Sequence, residues 1–202
     1  MRVTAEIKEA TRRSILAAAQ ELFRTTGYEA TTTRDIARAA GIATGTLFNY
    51  FPTKEAIVAG LVVGSQNRSV NSFKAEDHES LNEALFAHAA AGMRLLKPYR
   101  NYLTPVLETA LSPLVESNRN DIGQSLRTDH LETVVEMARR HKLDAALTPL
   151  ALQMYWTLYL GVLTFWANDK SPKQEDTLAL LDQSLAMFVS WLRMGDESTT
   201  SN

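Results

Sequence analysis

Between Thr31 and Phe51 the chain reads TTTRDIARAAGIATGTLFNYF, a stretch that leaves the backbone few alternatives. Thr32 with Asp35 three residues on is a helix-start signature. The hydroxyl takes up a free backbone N–H, and the carboxylate suits the positive end of the helix dipole. Ile36, Ala37 and Ala40 form a small apolar face, and Gly41 supplies the left-handed residue that stops the helix. Ile42 fills the corner, and a second short helix runs from about Thr44 to Phe51. Pro52 closes it, because a residue preceding proline is pushed out of the α region. The pattern predicts a helix-turn-helix, the motif whose second helix enters the major groove of DNA.

The string GIATGTLFNYFPTKEAI resembles the signature of the TetR family of bacterial transcriptional regulators. Gly41, Gly45, Thr46, Leu47, Tyr50, Phe51, Lys54 and Glu55 occupy the positions that carry the likeness. Two residues depart from it. Ala43 stands where a capping Ser is common, which removes a cap worth about 1 kcal/mol unless Thr44 takes over. Phe48 stands where Tyr is common, which removes a hydroxyl able to reach a phosphate. The likeness covers roughly residues 8–60, and beyond them only the architecture carries over. It implies an all-α fold with an N-terminal three-helix DNA-binding domain and a larger C-terminal helical domain for ligand binding and dimerisation. It also implies a homodimeric repressor, released from a palindromic operator on double-stranded DNA by a small, largely apolar effector. Phosphate-contacting roles for Thr33, Tyr50 and Lys54, and a phosphate or base-edge role for Arg34, follow from the same likeness.

The second helix of the motif carries no charge, so base reading falls to Thr44, Thr46 and Asn49 through short hydrogen bonds and methyl contacts with thymine. Gly45 leaves room for close approach. The net charge of −2 does not by itself signal a nucleic-acid binder. Residues 1–56 nonetheless carry 8 Lys and Arg against 6 Asp and Glu, and the remainder carries 13 against 17. The positive excess sits at the motif end. With so few cations one subunit gains only a few phosphate contacts, and two are expected on DNA. The chain has no Cys, which excludes disulfides, cysteine-type zinc sites and thiol redox sensing. Met1–Arg13 is charged and lacks the apolar segment of a secretory signal, so a cytoplasmic protein is expected.

Ahead of the motif, Ile15, Leu16, Ala19, Leu22 and Phe23 recur at helical spacing and predict a helix over about 8–25, stopped at Gly27. Ile15, Leu22, Phe23, Ile36, Ile42, Leu47 and Phe51 form the expected core of the head, which leans on a helix starting near Thr53 with Ile57, Leu61 and Val62. No Gly/Pro/Ser-rich linker follows, so the domain boundary, placed at 56/57, falls in or beside a continuous helix. A loop is expected over 73–79. A helix capped by Ser80 and Glu83 then runs to Leu96, and Pro98, Pro105 and Pro113 break up the next segment. A further helix is expected from about Asn118 to His141, with Arg139 and Arg140 complementing the dipole at its end.

The last two helices differ in kind. No charged residue occurs from Ala145 to Asn168, and 150–166 is apolar nearly all round. The final helix, about 173–194, carries two stripes: Leu178, Leu181, Leu185, Phe188 and Leu192, and Leu180, Met187, Trp191 and Met194. Two apolar faces imply two things to pack against, its own domain and a partner. The expected dimer contacts are Trp156, Leu160, Leu181, Leu185 and Phe188. The 150–166 run also meets the crude length of a membrane span, although Gln153, Thr157 and Thr164 interrupt it; no membrane partner is expected. The polar tail from Gly195 reads as disordered.

No nucleophile elbow, P-loop, HExxH string or dinucleotide fingerprint is present, so no enzyme, metal centre or cofactor is expected. His88 and His130 each sit on an apolar helix face. A lone His there is usually a core residue, and the alternative is a pocket lined by Phe86, His88, Met93, Tyr99, Tyr102, Leu103, His130, Met137, Trp156 and Tyr159 that binds the effector. Two competing readings stay open: a small-molecule binding protein or enzyme carrying a helix-turn-helix, and a membrane-tethered regulator.

Overall fold

The computed structural model describes residues 5–69, 78–104, 107 and 121–200, and every regular element among them is helical. The chain divides into two compact units, residues 1–65 and 66–202. The first holds α1 (Ala5–Thr25), α2 (Thr33–Ala39), α3 (Thr44–Tyr50) and the opening turns of α4 (Lys54–Ser69). The second holds α5 (Leu81–Leu96), a 3-10 helix (Lys97–Tyr102), α6 (Asp121–Arg140), α7 (Pro149–Asn168) and α8 (Glu175–Thr200).

In the first unit the expected start of α2 is present in full. The Asp35 N–H donates to the Thr32 hydroxyl at 3.2 Å, and the Thr32 N–H donates to the Asp35 carboxylate at 3.1 Å. The helix ends on Gly41 at φ +71°. The Gly41 N–H reaches the Arg38 carbonyl and the Ile42 N–H reaches the Ala37 carbonyl, the paired bonds of a Schellman stop. Across this corner α3 starts on Ala43, which no side chain caps. Ile15, Phe23, Ile36, Leu47 and Phe51 form the core as expected, whereas Leu22 and Ile42 stay half-buried.

The head extends past the boundary expected at residue 56. Ile57, Val58, Ala59, Leu61 and Val62 are buried, and a Cβ on Gly60 would stand 2.9 Å from the Phe51 ring. A three-helix core this small has too little apolar surface of its own, and the opening turns of α4 complete it.

In the second unit Ser80 caps α5 by accepting the Glu83 N–H, and Thr148 caps α7, with Pro149 in the first turn, where its missing N–H costs nothing. α5 packs on α6 and α8, and α7 packs on α6 and α8. α7 turns its inner face, Ala151, Tyr155, Trp156, Tyr159, Leu160, Val162, Leu163 and Trp166, into this core. Asp169 holds the corner into α8, accepting from the Ser171 N–H at 2.7 Å and from the Thr177 hydroxyl at 2.5 Å. Its carboxyl lies well below the usual range because the Thr177 hydroxyl and then Ser171 bind the charged form, against the opposing effect of burial. Arg100 closes the same corner from the 3-10 helix, donating to the carbonyls of Trp166 and Asp169. At the end of α6, Arg139 and Arg140 pair with Glu136.

One expectation changes. The helix α8 continues to Thr200 rather than ending at Gly195, because Gly195 does not take the positive φ that would cap it. Most of the 73–79 loop, together with Pro105, Pro113 and the helix start at Asn118, lies outside the described residues.

Candidate functional site

The residues expected to meet DNA lie on α2, α3 and the start of α4. Arg34, Gly45 and Asn49 are exposed, and Thr33, Thr44, Thr46 and Tyr50 are partly so. Leu47 and Phe51 are fully buried, as the spacing of an amphipathic helix requires. A Cβ on Gly45 would meet nothing within 4 Å, so packing within the head does not call for glycine there. Phe48 is 46% exposed, a bare aromatic surface beside Asn49.

Lys54, expected as a phosphate contact, is also engaged within the head. Its ammonium donates to the carbonyls of Tyr28 at 2.9 Å and Thr31 at 3.3 Å, and sits 3.9 Å from the centre of the Tyr28 ring. These partners take up most of what one ammonium can bind. The Tyr28 hydroxyl donates to Glu55 at 3.0 Å. Burial, and then the Glu55 carboxylate, pushes the Tyr28 hydroxyl upward. Burial opposes ionisation of Glu55, but its own N–H, Thr53 and Tyr28 outweigh it and hold the carboxyl below its usual value. Lys54 is therefore a strut between α4 and the α1–α2 turn. Tyr28 lies too far away in sequence for any helical spacing to reveal the contact.

In the body, four of the ten expected pocket residues converge. His88 Nε2 and His130 Nδ1 are 3.2 Å apart, and His130 Nε2 lies 3.1 Å from the Tyr155 hydroxyl. The His130 ring stacks on Tyr159 with centroids 4.3 Å apart and meets Trp156 in a T-shaped contact at 5.7 Å. Both imidazoles remain partly accessible, whereas Tyr155, Trp156 and Tyr159 are buried. Burial pushes His88 down to about 4 and holds His130 well below its ordinary value, with the His88 charge adding to the second. Both are neutral near pH 7.

Tyr155 is the member that sequence reading missed. Its i, i+4 relation to Tyr159 puts the two on one face of α7, where their rings are parallel within 4°. Of the other expected lining residues, Met93, Tyr99, Leu103 and Met137 are buried and Phe86 and Tyr102 half-buried. The Tyr99 and Tyr102 rings pair with each other at 6.2 Å.

The expected dimer contacts do not face a partner. Trp156, Leu160, Leu181, Leu185 and Phe188 are all buried inside their own unit. The face left open is the other one: Leu158 and Phe165 on α7, and Leu180, Met187 and Trp191 on α8, with Met187 72% exposed. The 3-4 spacing alone cannot distinguish which of two apolar stripes turns inward, because both have it.

The model of bacterial regulatory proteins of the tetR family matches residues 15–61, and that of the tetracyclin repressor-like C-terminal domain matches residues 85–197. The HTH-type transcriptional regulator UidR of Escherichia coli strain K12 is 27% identical over 143 residues, 67% of this chain. That stretch spans 66% of UidR, just under two thirds of its length. A TetR transcriptional regulator from Rhodococcus sp. RHA1 shares the fold with a TM-score of 0.67 at 19% identity, over 90% of this chain and 97% of that one. FadR of Thermus thermophilus, a repressor solved in complex with lauroyl-CoA, does so with a TM-score of 0.60 at 22% identity, over 88% and 93%.

The histidine pair makes the body acid-sensitive in a defined window. An unfolded histidine titrates near about 6.5. In the folded body both pKa values are lowered, so the folded state binds fewer protons than the unfolded one. The pair's contribution is complete above that value and is lost as pH falls through about 4, where His88 titrates. Denaturant midpoints should decline over this range in the natural protein and decline less in the double variant His88→Gln, His130→Gln. Equal slopes in the two would remove the pair as the cause.

Proposed function

The chain belongs to the TetR family of bacterial regulatory proteins, and on that premise we propose that it is a cytoplasmic, ligand-controlled repressor acting as a homodimer on a palindromic operator. The observation that carries this reading is the recognition helix α3: uncharged, accessible at Thr44, Thr46 and Asn49, and set across a fixed glycine corner from α2. Hydroxyl and amide groups read base edges, and the exposed Phe48 adds apolar surface for a thymine methyl. Arg34, Thr33 and Tyr50 supply phosphate contacts, while Lys54 braces the head with its charge kept. With one free-standing cation near the motif in this set, affinity rests on two heads binding together.

The second subunit docks on the open face of α7 and α8 formed by Leu158, Phe165, Leu180, Met187 and Trp191. Each of these two helices exceeds roughly 25 Å in length, enough for an interface of ordinary dimer size. The inner face of α7 packs in its own domain, which supports a dimer helix over a membrane span. The effector binds in the body, among the residues gathered around His88 and His130. The fold shared with FadR of T. thermophilus, which was solved with lauroyl-CoA, supports a body that holds a small molecule. Such a molecule releases DNA only by preferring the head spacing that misfits the operator.

Gly45 tests the DNA reading because folding and binding make opposite demands on it. Gly45→Ala should keep or raise stability by up to about 1 kcal/mol, the gain in helix propensity, while weakening operator binding through the added methyl. Gly41→Ala, at a positive φ, should instead lose about 1–2 kcal/mol of stability. A Gly45→Ala protein that binds operator fragments normally in a gel shift would remove α3 from the interface.

The seam is tested by a charge. Met187→Glu places a carboxylate on both sides of a symmetric interface and costs several kcal/mol of dimer stability, on the order of 3–5. Sedimentation should show a folded monomer with weakened operator binding. An intact dimer would move the seam away from α8.

A further inference from the structure

The polar cluster in the body carries more than a location for the effector. Trp156 is 3% exposed, and its indole N–H has no acceptor among the described residues. A buried donor left unpaired costs about 1–3 kcal/mol, so native structures seldom keep one without a use. The indole sits in a T-shaped contact with His130 and is 5.8 Å, centroid to centroid, from the Tyr159 ring. The Tyr159 hydroxyl reaches α5 at Gly92, one turn beyond His88, where a Cβ would stand 2.9 Å from it. Gly92 thus leaves room for the Tyr159 hydroxyl on the side of α5 that His88 also faces.

The hydrogen-bonded chain beside it already uses its own groups. With the Tyr155 hydroxyl donating to His130 Nε2, the hydrogen of His130 sits on Nδ1 and points to His88 Nε2. Both nitrogens of His130 are then engaged. The shifts of the two imidazoles arise from burial and, for His130, from His88; no carboxylate and no cation contributes. An anion placed here would have to draw a proton onto this pair against burial, or stay unpaired at low dielectric. A neutral acceptor oxygen meets neither penalty and satisfies the indole.

Resting on the reading of the body as an effector domain, we propose that Trp156 and Tyr159 hold an uncharged acceptor oxygen of the effector, a ketone, ester or amide carbonyl. Its apolar remainder lies against the surrounding rings. The class excluded at this position is the free carboxylate.

Three probes of one shape separate these possibilities: 2-acetylnaphthalene, with a neutral carbonyl, 2-naphthoate, with a carboxylate, and 2-ethylnaphthalene, with neither. Each is titrated into the full-length 15N-labelled dimer, and the Trp156 indole peak is identified as the one missing from Trp156→Phe. The ketone should move that peak downfield in the proton dimension and bind more tightly than the other two. Trp156→Phe should bind the ketone about three- to tenfold more weakly, the worth of one hydrogen bond, and bind 2-ethylnaphthalene unchanged. If Trp156→Phe does not fold, the peak is assigned as the one kept in both Trp166→Phe and Trp191→Phe, and the wild-type indole then decides alone. Equal or tighter binding of 2-naphthoate overturns the proposal. So does a ketone that moves amide peaks of α5 to α7 but leaves the indole in place, and this outcome leaves the effector reading standing. Probes that move no peak in the body overturn the proposal and the effector reading together for ligands of this class.

Discussion

The two residues around the Gly41 corner fix where the recognition helix points. Gly41 and Ile42 donate their N–H groups back to Arg38 and Ala37, so the chain leaves α2 in one direction only. Capping at the other end, between Thr32 and Asp35, fixes where α2 begins. With both ends set, the Ile36, Leu47 and Phe51 side chains meet in the head core and the opposite side of α3 is left accessible. A recognition helix of seven residues is too short to hold itself together. Its presentation depends on this corner and on the strut that Lys54 makes to Tyr28 and Thr31.

This part of the molecule was legible in the sequence because every signal in it is local. Caps, glycine stops and a proline breaker act within four residues, and each appears where the spacing placed it. The resemblance to known regulators added roles to positions, and at Lys54 the fold adds a contact that the likeness did not carry. The ammonium contacts Tyr28, 26 residues away, a distance at which no periodicity operates. The domain boundary moved for a related reason. A continuous helix carries no mark of where one core ends, and α4 is buried as far as Val62.

The body was legible in outline and ambiguous in orientation. α7 and α8 each carry apolar residues on two sides, and the sequence supports both assignments of inside and outside. Burial separates them: Leu181, Leu185 and Phe188 turn inward, and Met187 and Trp191 turn outward. The histidine cluster shows the same division. His88 and His130 were visible as polar residues on apolar faces. Their contact, and the part Tyr155 takes in it, joins α5, α6 and α7 across 67 residues and exists only in the fold. A neutral, hydrogen-bonded chain inside an aromatic shell is a costly feature for a core to keep for packing alone.

The central claim is that two copies of this head read DNA together. It is tested most directly by selecting bound sequences from a random duplex pool with the purified protein. The account predicts an inverted repeat whose half-site centres lie one helical turn apart, about 34–36 Å, or a whole multiple of this. A selection that enriches no sequence, or enriches a single unrepeated half-site, would contradict it.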